Sequence, residues 1–321
     1  MIRVGVEASI EASLLCGFDH QVELVRIPEK PLSPLEIDFW IAPFSAASAR
    51  TQWPFLRGVK AVQSLFAGVD ALLTIVPRDV PLYDARGVHD IPTAEWAVTA
   101  ILAMQKYLPF YFDLQRRHDW NGKDDAEKIY LMQSGTRAGV NLPVLIDEVA
   151  DATILIVGYG SIGQNIEARL APFRPKFLRV ARSARPGVEP VSRLDDLLPL
   201  ADIVALIMPL TPETHHLIDG GRLARMKPGA LLVNAGRGAT VDTEALLLAL
   251  QQHRIRAALD VMDPEPLPPG HPLWTAPNLM ITPHIASDSP RTAQRAFQLA
   301  TQQALRFARN EPLQNLVQGG Y

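Results

Sequence analysis

The sequence has one cysteine, Cys16, among 321 residues. A single thiol excludes an intramolecular disulfide and a cysteine-rich metal centre. No catalytic neighbour is recognisable around Cys16, which reads as a packed or idle thiol. There is also no excess of one charge: 31 Lys and Arg face 34 Asp and Glu, a formal net charge of −3. Neither nucleic acid nor an anionic membrane surface is therefore an expected partner. Long apolar runs are missing as well. The N-terminal stretch MIRVGVEASIEASLL carries early acids and reads as neither signal peptide nor membrane anchor. The expected location is the cytoplasm.

What is present is a soluble, globular composition, 48% hydrophobic and 20% charged. The length suits two domains better than one core. In the first part IRVGVEA, EIDFWIAP, VKAVQSLF and DALLTIVP read as strands or strand–helix edges. A long amphipathic helix is expected after Pro92, with Thr93 as its cap and Trp96 early in it. Residues 121 to 150 are polar and mixed, with little regular structure expected.

From Thr153 a βα rhythm runs to His284. TILIVG, FLRVA, DIVALIMP, ALLVNAG, RAALDVM and NLMITPHI are short apolar runs; QNIEARLAPF, LDDLLPLA and DTEALLLALQQH lie between them as helices. Near-continuous apolar strands separated by helices predict a doubly wound parallel sheet. RTAQRAFQLATQQALRFARN reads as a final helix.

GYGSIG places Gly158, Gly160 and Gly163 in G-x-G-x-x-G spacing, with Tyr159, Ser161 and Ile162 between them. Alone the motif is weak. Between a strand and a helix it is the turn that sets a dinucleotide pyrophosphate on a helix N-terminus; the bland alternative is a glycine turn that binds nothing. About 20 residues on, such units place an acid for the ribose hydroxyls. Here FLRVARSARP supplies Ala181, Arg182, Ser183 and Arg185 instead. Alanine removes the repulsion of a 2′-phosphate, and the two guanidinium groups with Ser183 can bind one. NADP(H) is the expected cofactor and NAD(H) stays open; a plain basic loop is the competing reading.

Three later segments end predicted strands: VNAGRGATVD, LDVMDPEPLPPGHPLW and ITPHIAS. They contribute Arg237, Glu265 and His284. Arg237 can hold a carboxylate and polarise a keto oxygen, His284 can deliver a proton to that oxygen, and Glu265 can hold the imidazole and favour its protonated form. A carboxylate metal cluster of Asp260, Asp263 and Glu265 is the competing reading. His215 and His216 are adjacent, are expected to point apart, and read as a solvated loop.

From about Val59 to His284 the chain resembles the D-isomer-specific 2-hydroxyacid dehydrogenase family. The resemblance rests on N-x-x-R-G at Asn234 to Gly238, a DV pair at Asp260 with Glu265 five residues on, and TPH at Thr282 to His284. It implies two Rossmann-like α/β domains with a deep cleft between them: residues 1–94 plus 288–321 for substrate and 95–287 for the dinucleotide. It implies Arg237, Glu265 and His284 as catalytic residues and no metal. Asp260 would meet the nicotinamide carboxamide, and Thr93 the nicotinamide end of the cofactor. Pro209 and Leu210 would wall the adenine, and Ala235 and Gly236 would line the same path. SLFAGVD resembles the loop that holds the substrate carboxylate, through Ala67 and Gly68; a plain turn is the alternative. Pro43, Phe44 and Ser45 are expected at the border of the substrate pocket.

The expected activity is NADPH-preferring reduction of a small 2-keto acid, of the glyoxylate or hydroxypyruvate type. Rival readings are a phosphite or other 2-hydroxyacid dehydrogenase and a cofactor-sensing, corepressor-like binding protein. A formate dehydrogenase would carry glutamine at position 265, and a regulated phosphoglycerate dehydrogenase would need a further domain after His284. The apolar helix expected at 93 to 112 and the loop beyond it predict a homodimer.

Overall fold

The computed structural model describes residues 1–125 and 147–317. The chain divides into two compact units, one of Met1–Asp90 with Asp288–Tyr321, the other of Ile91–Ser287. In the first unit the strands are β1 Ile2–Glu7, β2 Val22–Ile27, β3 Leu35–Glu36, β4 Phe39–Ile41, β5 Leu56–Arg57, β6 Ala61–Gln63 and β7 Leu82–Tyr83. Five of them form a parallel sheet in the order β2-β1-β4-β6-β7. The helix Pro290–Ala308 belongs to this unit and buries Ala296, Phe297, Ala300 and Ala304 with Val4, Val6, Phe39 and Ile41. The spacing of those four positions puts them on one face of the helix.

The second unit holds β8 Thr153–Val157, β9 Lys176–Ala181, β10 Glu189–Pro190, β11 Ile203–Leu206, β12 Leu231–Asn234, β13 Arg256–Leu259 and β14 Leu279–Ile281. All seven are parallel, in the order β10-β9-β8-β11-β12-β13-β14. The chain order reverses between β8 and β11, which is the switch point where open α/β sheets bind ligands. Successive side chains of a strand face opposite ways. Leu155, Val157, Val204, Leu206, Leu232 and Leu259 accordingly pack on one side; Ile154, Ile156, Ile203, Leu231, Val233 and Ala258 pack on the other. Both faces are covered, so these strands have no polar alternation in sequence. Each fully buried Leu or Ile contributes about 2 kcal/mol.

Several sequence expectations are corrected. The helix expected from Thr93 to 112 begins at Asp90 and ends at Gln105, and a second helix runs Leu108–Arg116. Pro92 is tolerated in the first turn, where the N–H has no helical acceptor. Thr93 is buried in the helix rather than capping it. Pro109 cannot continue the ladder, and Tyr107 turns the chain with φ of 50°. DALLTIVP is no strand; it holds the 3-10 turn Leu72–Thr74, with Leu72 and Val76 buried. Short apolar runs do not distinguish a strand from a buried turn by periodicity. Of the stretch expected to lack regular structure, Asn121–Asp125 form a 3-10 turn, and 126–146 lie outside the described residues. His215 and His216 do not point apart. Their rings stack with centroids 4.0 Å apart, because His216 has φ of 49° and its N–H donates to the Ala239 carbonyl. Among the described residues no helix is long and apolar enough to cross a membrane.

Candidate active site

The register of the second sheet aligns one row of residues: Val180, Val157, Leu206, Asn234, Leu259 and Ile281. The singled-out residues of this unit, Thr93 and Trp96 of the Asp90–Gln105 helix apart, follow that row at the carboxyl ends of the strands. The row spans five strand spacings, about 24 Å.

At the end of β8 the chain turns through Gly158 with φ of +95°. A Cβ there would stand 2.7 Å from the Ile207 carbonyl, so both conformation and space require glycine. Gly158 and Tyr159 both donate their N–H to the Val180 carbonyl, which fixes the turn to β9. The helix Ser161–Leu170 then starts at Gly160. The first N–H groups of a helix, here those of Ser161, Ile162 and Gly163, have no acceptor within it. A Cβ on Gly160 would touch nothing nearer than 3.9 Å, so the chain's own packing does not demand glycine there. Unpaired N–H groups at a helix start, approached by a backbone without side chain, suit a phosphate group. Gly163 packs against β8, where a Cβ would stand 3.1 Å from Ile156 Cγ2.

β9 ends at Ala181, and Arg182, Ser183 and Arg185 follow on an exposed loop. Arg185 donates to the Tyr159 carbonyl, and its guanidinium lies 5.8 Å from the Tyr159 ring centroid. Arg179 grips Glu167 with two hydrogen bonds and reaches the same ring at 5.6 Å. Tyr159 is thus a platform between two arginines, a contact that sequence reasoning missed. Glu213 beyond β11 has its carboxyl held low, first by the Thr211 hydroxyl and also by Arg182. Pro209 is fixed through its carbonyl, which accepts from Thr214 Oγ1 at 2.8 Å.

β12 delivers Arg237. Buried Asn234 accepts the Gly236 N–H at 3.0 Å and donates to the Arg237 carbonyl at 3.1 Å. Thr240 Oγ1 donates to the same carbonyl at 2.7 Å. A Cβ on Gly238 would fall 2.0 Å from the Met262 carbonyl oxygen. The Arg237 loop therefore lies flat against the chain leaving β13, and only glycine permits it.

β13 delivers Asp260 and Glu265, and β14 delivers His284. The Asp260 carboxylate, 1% exposed, accepts from Thr282 Oγ1 and from the Ile285 and Ala286 N–H groups at 2.5, 2.9 and 2.8 Å. The His284 N–H donates to the Asp260 carbonyl at 2.8 Å. These bonds close the turn in which His284 takes φ of 54°. The same residue that the resemblance sets against the nicotinamide carboxamide thus also anchors the histidine turn. Asp260, Asp263 and Glu265 do not converge: Glu265 bonds His284 Nδ1 instead. Among the described residues no group of three His, Cys, Asp or Glu could hold a metal.

Hydrogen bonding to Glu265 is the main cause that raises the His284 pKa; the Glu265 and Asp260 charges add to it, while desolvation and Arg237 oppose it. The arrangement is an imidazole whose charged form is stabilised, with a permanent cation that can bind an anion in its field. Ala67 and Gly68 lie in the other unit, partly buried in the loop after β6.

The family described as "D-isomer specific 2-hydroxyacid dehydrogenase, NAD binding domain" matches residues 98–286. A glyoxylate reductase of Thermofilum pendens is 43% identical over 268 residues, 79% of this chain and 73% of the relative. An NADPH-dependent glyoxylate/hydroxypyruvate reductase from Sinorhizobium meliloti, solved with NADP and sulfate, is 27% identical. It superposes with a TM-score of 0.80 over 99% of this chain and 98% of that one. A D-isomer specific 2-hydroxyacid dehydrogenase from Xanthobacter autotrophicus, solved with NADPH and MES, is 26% identical, with a TM-score of 0.76 over 99% and 98%. The chain belongs to the D-isomer specific 2-hydroxyacid dehydrogenase family of NAD(P)-dependent oxidoreductases.

Proposed function

We propose that this chain reduces a small 2-keto acid, of the glyoxylate or hydroxypyruvate type, to the D-2-hydroxy acid and prefers NADP(H) to NAD(H). The observation that carries the reading is the hydrogen-bonded Glu265–His284 pair on the same strand-end row as Arg237 and the glycine turn. A nicotinamide cofactor supplies the hydride when bound. Arg237 binds the substrate and polarises its keto oxygen, and His284 gives that oxygen its Nε2 proton while Glu265 keeps Nδ1 bonded. The N–H groups at Ser161, Ile162 and Gly163 hold the pyrophosphate. Thr93, Pro209, Ala235, Gly236 and Asp260 border the rest of the cofactor path.

Ala181 offers no carboxylate to a ribose, and Arg182, Ser183 and Arg185 take the 2′-phosphate. The relatives solved with NADP and NADPH support that preference. The unit of Ile91–Ser287 carries the cofactor, and the other unit carries the substrate loop of Ala67 and Gly68. A cytoplasmic homodimer completes the reading. Its support is the apolar groove lined by Leu108, Phe112 and Trp274, three exposed large side chains. The test is product analysis: hydroxypyruvate and NADPH should yield D-glycerate. L-glycerate, or no glycerate at all, would contradict the reading.

A further inference from the structure

His89 ends the segment that leads to the unit boundary at Asp90. It is 6% exposed. Its Nε2 lies 2.9 Å from the Leu65 carbonyl oxygen. A carbonyl only accepts, so Nε2 carries a proton, and in the neutral ring Nδ1 is then the bare nitrogen. Nδ1 is buried without a hydrogen-bond partner among the described residues. The ring stacks on Phe66, with centroids 5.5 Å apart and planes at 25°. Phe66 meets Phe44 edge-on at 5.3 Å, and Phe44 meets Phe297 at 6.0 Å. The backbone of the same turn is tied down as well. Phe66 donates its N–H to Ser64 Oγ, and its carbonyl accepts from Ser64 Oγ and from the Ala85 N–H at 2.9 Å each. The residues so fixed stand directly before Ala67 and Gly68.

We propose that His89 is a positioning residue for the Ala67–Gly68 loop, holding it only as the neutral Nε2–H imidazole. The inference rests on the reading of that loop as the substrate-carboxylate site. A proton on Nδ1 would be a buried donor with no acceptor, and it would loosen the ring from its slot. Burial is the main cause that lowers the His89 pKa; the Leu65 carbonyl, Asp90 and Asp288 oppose this, and Arg295 adds to it. Of these charged groups, Asp90 lies on the ring's own segment and Asp288 and Arg295 on the returning one. Arg295 is tied to the Val88 carbonyl at 3.2 Å. Substrate affinity then weakens on acidification, on the opposite side of the pH profile from His284.

The test uses the full chain with glyoxylate and NADPH, over a pH series. His89→Leu removes the bond to Leu65 and should raise KM for glyoxylate roughly fivefold at neutral pH, with kcat and NADPH affinity unchanged. His89→Gln keeps an amide N–H near the Nε2 position and does not titrate. It should restore KM and abolish the rise in KM that the parent protein shows on acidification. Unchanged KM in His89→Leu, or an acid rise that persists in His89→Gln, would overturn the proposal. Nitrogen-15 NMR of the imidazole, on the parent protein without substrate, gives an independent readout. It should show Nε2–H with Nδ1 bare at neutral pH and titration below the ordinary histidine range. An Nδ1–H tautomer or a charged ring at neutral pH overturns the inference even if turnover is normal. Absent turnover with the expected spectrum would fault the functional reading and leave the imidazole assignment standing.

Discussion

The Nδ1 edge of His284 is held by Glu265, on a turn that Asp260 braces from beneath. Glu265 fixes the ring, and Asp260 fixes the backbone that carries it. This geometry also sets a pH dependence. The folded-state pKa of His284 is raised, so its charged form persists to higher pH than in the unfolded chain. Any stability it adds is present below the unfolded value, about 6.5, and is lost as pH rises through the folded value. In the proposed reduction that proton is the one delivered, so the rate should decline over the same limb. Glu265→Gln removes the charge that favours imidazolium. Its rate profile should shift toward lower pH, and kcat should fall about 10²-fold at neutral pH, read from initial rates between pH 5 and 10.

Asp260 stands beneath that pair. Asp260→Ala would leave the Ile285 and Ala286 N–H groups and the Thr282 hydroxyl without their acceptor. The expected cost is about 3 kcal/mol, a fall in Tm of roughly 6–12 °C by calorimetry. A Tm within a degree of the parent would mean the turn finds other partners.

Gly238 and Gly158 separate two functions. Gly238→Ala sets a methyl against the Met262 backbone and should displace Arg237. Turnover should drop at least tenfold while NADPH fluorescence titration still shows binding. Gly158→Ala forces a positive φ on alanine and a clash with Ile207. It should weaken binding of NADPH and NADH alike in the same titration.

The loop after β9 tests cofactor choice. Arg182→Ala should raise Kd for NADPH about tenfold or more, the loss of one charge-assisted contact. Kd for NADH should stay within twofold. Added salt should weaken NADPH binding in the parent more than in the variant.

Much of this architecture is legible in the sequence because the second sheet is buried on both faces. TILIV, DIVAL and ALLVN have no polar interruption, and glycine marks the turn after β8, where φ is +95°. The strand-end residues Arg237, Glu265 and His284 stand out for the same reason, as charge beside apolar runs. What was not legible depends on tertiary partners. The helix break at Tyr107 and the 3-10 turn at Leu72–Thr74 sit in apolar stretches with no distinct period. The grip of Asp260 on residues 282–286 and the Tyr159 platform join segments 20 or more residues apart. No local pattern announces them. His89 gave no signal at all, since a lone histidine before a helix is most often ordinary packing.

The proposed reaction is reduction of a 2-keto acid with a cofactor that carries a 2′-phosphate. Its most direct measurement is the initial rate of glyoxylate-dependent oxidation of NADPH against NADH by the purified protein. Faster loss of NADPH is the predicted result. Equal or faster loss of NADH would contradict the role given to Arg182, Ser183 and Arg185, and loss of neither would contradict the reductase itself.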